Sequence, residues 1–140
     1  MRAIALGTCA AVAALLLPGC GNKFYPVEGK VVWADDKSPA KELEGSQIVF
    51  ESPELKISAR GTIGPDGGFT MTMINPDDGV PAGNYQVAVI EERKPINGDW
   101  SRVKPALLDG KYGSLTTSGL TATVTAGKNP ITLTLERKKR

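Results

Sequence analysis

The chain has 140 residues, with 17 Lys and Arg against 15 Asp and Glu, a formal net charge of +2, two cysteines and no histidine. So even a balance provides no general field for nucleic acid, and the missing imidazole removes the commonest general base and metal ligand near neutral pH. With only two thiols in the whole chain, most hydrolytic mechanisms and most zinc sites lose their usual parts.

Met1-Arg2 gives a short positive start, and Ala3 to Leu17 is apolar apart from Thr8. Fifteen residues fall short of the about 20 that a spanning helix needs. A positive start, a short apolar stretch and a small-residue exit are the pattern of a secretory signal instead. That exit reads Leu17-Pro18-Gly19-Cys20, which resembles the lipobox of bacterial lipoproteins. The resemblance implies cleavage before Cys20, residues 1–19 being the signal peptide, and a diacylglyceryl thioether on the Cys20 sulfur. Cys9 would leave with the signal, so Cys20 would be the one thiol of the mature chain. A lone cysteine in an exported chain has no intramolecular partner, and lipidation accounts for it. Two or three acyl chains anchor stably where one is marginal, at about 0.8 kcal/mol per buried methylene. Residues 20–24 would then be a short tether, holding a domain over 25–140 close to a membrane surface.

Period-2 alternation dominates that domain. Val27, Gly29, Val31 and Trp33 share one face of a first strand. Ile48 and Phe50 mark a second, and Ile57, Ala59, Gly61 and Ile63 a third. Phe69, Met71 and Met73 mark a fourth, and Tyr85, Val87 and Val89 a fifth. Leu120, Ala122 and Val124 alternate with Thr121, Thr123 and Thr125, and Ile131, Leu133 and Leu135 close the chain against Thr132 and Thr134. Gly64-Pro65-Asp66-Gly67-Gly68 predicts a tight hairpin turn, because Pro presets φ and Asp-Gly tolerates positive φ. Asn75 to Gly79 and Pro81 to Asn84 punctuate the next connection, and Ala126-Gly127-Lys128-Asn129 predicts a last hairpin. Seven such strands predict an all-β fold, a single antiparallel sandwich. Residues 92–118 resist the pattern, with Pro95, Gly98, Pro105, Gly110 and Gly113 among scattered apolar residues. An irregular excursion of that length is either functional or tied down by its own side chains.

Several pieces in order resemble transthyretin-like, carboxypeptidase-regulatory-like domains. These are Val27-Glu28-Gly29-Lys30-Val31, then Gly61 to Phe69 with its Gly-Gly-Phe ending, then Pro81-Ala82-Gly83-Asn84-Tyr85-Gln86-Val87. Lys111-Tyr112 followed by Thr117-Ser118-Gly119-Leu120 is similar to small planctomycete lipoproteins that carry this domain. The resemblance runs from about Val27 to Glu136 and implies a prealbumin-like Greek key of about seven strands, with no biochemical activity attached. Hydroxyisourate hydrolases share the transthyretin fold, but they rely on histidines and a Tyr-Arg-Gly-Ser ending. This chain has no histidine and ends Arg-Lys-Lys-Arg, so no catalytic residue carries over.

The remaining candidate sites are weighed residue by residue. The Gly-Pro-Asp-Gly-Gly turn precedes no helix, which a phosphate cradle needs. The acid pairs Asp35-Asp36, Asp77-Asp78 and Glu91-Glu92 lack the alternating spacing of a calcium loop, and read as solvated turn acids. Trp33 reads as core, and Tyr112 as a plug at one end of the sandwich. Trp100, beside Gly98, Asp99 and Arg102, is the aromatic expected at the surface, so Trp100, Arg102 and Tyr112 form the candidate contact set for a ligand or partner. Residues 137–140 read as a frayed, solubilising terminus, the alternative being contact with anionic lipid. The expectation is therefore an exported, non-catalytic lipoprotein held to the outer membrane or a periplasmic face through Cys20. It needs no metal and no cofactor beyond its covalent lipid. Its sandwich would serve as a structural or interaction module for other envelope proteins or envelope polysaccharide, with no nucleic-acid partner. The alternative is a carbohydrate or small-ligand module using residues 93–118.

Overall fold

The computed structural model describes residues 23–140; residues 1–19, expected to be a signal peptide, and Cys20 lie outside the described residues. Eleven strands follow one another: β1 (Phe24–Tyr25), β2 (Val27–Trp33), β3 (Gln47–Ser52), β4 (Ile57–Thr62), β5 (Gly68–Thr70), β6 (Val80–Pro81), β7 (Gly83–Ile90), β8 (Pro95–Ile96), β9 (Asp99–Val103), β10 (Leu120–Val124) and β11 (Asn129–Leu135). All seven strands expected from alternation are present, as β2, β3, β4, β5, β7, β10 and β11. They form two sheets, β10-β7-β3-β4 and β11-β2-β5. The fold is an all-β sandwich in which β7 returns beside β3 after the chain has crossed to the other sheet, as a Greek key requires.

The alternation decides which side chains fill the space between the sheets. Val27, Val31 and Trp33 of β2, Ile48 and Phe50 of β3, Ala59 of β4, Phe69 of β5, Tyr85, Val87 and Val89 of β7, and Leu133 and Leu135 of β11 are all buried in one cluster. The outward residues Thr121, Thr123, Thr132 and Thr134 are exposed, which leaves each sheet one wet face. Gly29 has a packing reason. A Cβ there would come within 2.2 Å of the Ile131 carbonyl oxygen and 2.4 Å of the Phe69 ring. The Tyr85 hydroxyl donates to the Pro81 carbonyl at 2.7 Å, and burial pushes its pKa up.

Three local expectations are corrected. The β11–β2 pair is parallel, Asn129 opposite Val27 and Leu135 opposite Trp33, while the other strand pairs are antiparallel. It follows that residues 126–129 do not close a hairpin: β10 pairs with β7 and β11 with β2, so this turn carries the chain from one sheet to the other. Asn129 clasps it, its side-chain oxygen accepting from the Thr125 amide at 2.8 Å and its amide nitrogen donating to the carbonyls of Thr125 and Gly127. The turn over 64–68 is tight as expected, with the Gly64 amide donating to the Gly68 carbonyl at 2.7 Å. The strands it joins belong to different sheets, since β5 pairs with β2, although Arg60 and Thr72 still bridge across the turn in antiparallel register.

The register fixes two ends. The chain enters beside Val27, and Phe24–Tyr25 pairs with Val80–Pro81 there. Gly83, Val124 and Asn129 share this entry end. β2, β11 and β7 all run away from it, to Trp33, Leu135 and Ile90. Six residue steps along β2 place the distal end about 20 Å away.

Candidate functional site

The segment expected to be irregular is built around a small hairpin at the distal end. Asn97 and Gly98 have φ of 52° and 78°, the pair of positive values that a two-residue I′ turn demands and that Asn-Gly supplies. Ile96 pairs with Asp99 across this turn, but the next pair is Pro95 with Val103. Trp100, Ser101 and Arg102 therefore bulge out opposite no residue of β8. A bulge re-aims the side chains it carries, and here all three are exposed. The Asp99 carboxylate holds the arch from inside, accepting from the Ser101 amide at 2.9 Å and its hydroxyl at 2.7 Å. Those bonds, the hydroxyl's first, hold its pKa below the usual carboxylate range. Trp100 is 70% exposed at this arch, as expected from its neighbours, and Arg102 stands two residues on. The Asn-Gly signal was present in the sequence and is what the scattered prolines and glycines of 92–118 obscured.

Tyr112 does not join them. It lies in the short 3₁₀ turn Gly110–Gly113, is 4% exposed, and its hydroxyl accepts from the Glu136 amide at 3.0 Å. It plugs the sandwich end, the structural half of the reading weighed for it, so the candidate contact set reduces to Trp100 and Arg102. Trp33 is fully buried, with its indole N–H donating to Glu42 at 3.1 Å.

The loop below the hairpin is fastened to the end of β7 by one carboxylate. Glu91, read as a solvated acid, accepts from the amides of Leu107 and Leu108 at 2.9–3.0 Å. Asp78 likewise accepts from the amides of Met73, Ile74 and Asn75 at 2.8–2.9 Å. Both acids organise backbone. The basic terminus is also less frayed than expected. The Arg137 guanidinium lies 4.1 Å from the Trp33 ring centre and pairs with Asp35 at 3.1 Å and Glu42 at 3.4 Å. The Lys138 amide donates to the Leu107 carbonyl at 2.7 Å, which ties the terminus to the loop below the hairpin. Between the hairpin base and this terminus runs a cleft of about 520 Å³ whose lining includes Lys41, Lys94, Lys104, Pro105, Leu107 and Arg140.

No family model and no curated protein matches the chain. Among solved structures the chain is similar to the major pilin subunit of Bacillus cereus, at 14% identity and a TM-score of 0.51. The likeness covers 84% of this chain and 30% of the pilin chain, so the chain spans less than a third of that protein. At this identity it shows the fold alone, a β-sandwich.

Proposed function

We propose that this chain is an exported bacterial lipoprotein, anchored through Cys20, whose sandwich is a non-catalytic module presenting the β8–β9 hairpin to a partner in the cell envelope. The observation that carries this reading is the placement of the arch. The chain enters the domain at one end through Phe24–Tyr25, and the most exposed tryptophan stands on a bulge at the other. An anchor just before Phe24 would leave the hairpin facing away from its own membrane. That geometry argues against the basic terminus touching the anchoring bilayer, because residues 137–140 follow Leu135 at the same distal end. The planctomycete resemblance and the envelope address rest on the sequence motifs.

The test is photo-crosslinking in the native envelope from a photoreactive residue in place of Trp100, with Thr123 on the outer face of β10 as the control position. Recovery of one reproducible adduct from position 100 and none from 123 is expected. Equal labelling at both positions, or none at either while the protein is correctly exported, would remove the hairpin from its assigned role.

A further inference from the structure

The hairpin and the terminus differ from the rest of the domain in charge. Residues 93–104 carry Arg93, Lys94, Arg102 and Lys104 against Asp99 alone, and residues 137–140 carry four cations and no acid. The described chain as a whole is balanced, so this is a local concentration. The Lys138–Leu107 backbone bond and the Leu108–Arg137 bridge hold the two segments side by side, and Lys94, Lys104 and Arg140 line one cleft with Lys41. None of these four lysines and arginines, nor Arg102, has a carboxylate partner among the described residues.

The acids that border the cleft are mostly committed elsewhere. Glu42 is bonded to the Trp33 indole and paired with Arg137, and the hydrogen bonds of its own amide and of that indole lower its pKa. Glu91 has both oxygens on the Leu107 and Leu108 amides. Only Glu92, exposed at the rim, keeps a carboxylate without such a bond among the described residues. A group of uncommitted cations around an open cleft attracts an extended anion. Trp100 adds an exposed aromatic face at the head of the same hairpin, which suits the flat apolar face of a sugar ring. Four of the nine residues that line the cleft are lysine or arginine, beside Glu42, Glu91, Glu92, Pro105 and Leu107.

Resting on the reading of the hairpin as the presented surface, we infer that its partner is an anionic polysaccharide, a linear chain bearing carboxylate, phosphate or sulfate groups. Trp100 stacks on a sugar ring, and Arg102, Lys94, Lys104, Lys41 and Arg140 meet the acidic groups along the chain. The test uses the full-length protein with its anchor already held in nanodiscs of neutral phosphatidylcholine, and three probes: polygalacturonate, neutral dextran, and vesicles of phosphatidylglycerol. Binding to polygalacturonate is expected, with none to dextran, and it should weaken steeply as salt rises, as exposed charge contacts do. Trp100→Ala and the double variant Lys94→Ala with Lys104→Ala should each weaken it by about tenfold, with unfolding transitions unchanged. Equal binding to dextran, tighter binding to the vesicles than to the polyuronate, or unaltered binding by both variants would overturn the inference. No binding to any probe, alongside a specific protein adduct at position 100, would overturn it too and leave the presented-hairpin reading standing. Loss of both would remove that reading as well.

Discussion

Trp33 and Trp100 are the two tryptophans of the chain, and they sit at the same end of the sandwich in opposite surroundings. Trp33 ends β2 on its inward face, fully buried, with its N–H bonded to Glu42 and Arg137 lying over its ring. Trp100 follows an Asn-Gly turn, stands on a bulge, and is 70% exposed. The difference teaches how position turns one residue type to two uses. In β2 the pleat and its alternation drive the indole inward, where the transfer of a large apolar surface stabilises the fold. At the arch the unpaired backbone has no inward side, and an indole placed there stays in solvent.

That contrast is open to direct attack. Trp33→Ala should have the largest effect, about 3–5 kcal/mol of stability lost in denaturant unfolding, since it leaves a cavity under Arg137. Gly29→Ala should follow with about 1–3 kcal/mol, because the added methyl meets the Ile131 carbonyl oxygen and the Phe69 ring. Asn129→Ala, which releases the clasp on the sheet-to-sheet turn, should cost about 1–2 kcal/mol. Trp100→Ala should change stability by no more than about 0.5 kcal/mol. A Trp100→Ala loss as large as that of Trp33→Ala would mean that both indoles are core. Fluorescence sharpens the same point: Trp100→Phe should leave a blue-shifted emission shielded from acrylamide, and Trp33→Phe a red-shifted, quenchable one.

A smaller effect concerns acid. The Asp78 carboxyl is held below its ordinary value of 3.8 by backbone hydrogen bonds, from Asn75 first and then Met73 and Ile74. A carboxyl depressed in the folded state stabilises the fold fully above its unfolded pKa, and that stability is lost as pH falls through the folded pKa. Unfolding free energy should therefore decline below about pH 4, and Asp78→Asn should flatten that decline. An unchanged acid limb in the variant would show that the loop over 73–79 is held by other means.

Much of the sandwich was legible in the residues because two-residue alternation reports the buried face directly. The runs through Val31, Phe50, Ala59, Val87, Ala122 and Leu133 each gave a strand. What alternation does not report is partner choice. The same Ala-Gly-Lys-Asn turn serves a hairpin or a crossing between sheets, and only the burial of Leu133 and Leu135 against β2 decides for the crossing. The parallel β11–β2 pair was hidden for that reason. At the site, the exposure of Trp100 followed from its polar and glycine neighbours, whereas the bulge did not: it comes from the Asp99 carboxylate turning back to Ser101, a local competition between side chain and ladder. The roles of Glu91 and Arg137 were illegible because their partners, at Leu107–Leu108 and Trp33, lie far away in sequence.

The presented-hairpin reading is tested most directly by the distance of each end of the domain from the anchoring membrane. The mature, lipidated protein would be reconstituted into vesicles with a membrane-surface quencher, and a fluorophore placed on Ser101→Cys in one preparation and Lys128→Cys in another. Lys128 lies in the turn at the entry end, and Ser101 on the distal arch. Strong quenching at 128 and little at 101 is the expected result. Equal quenching at both, or stronger quenching at 101, would contradict an anchored domain that holds its hairpin away from the bilayer.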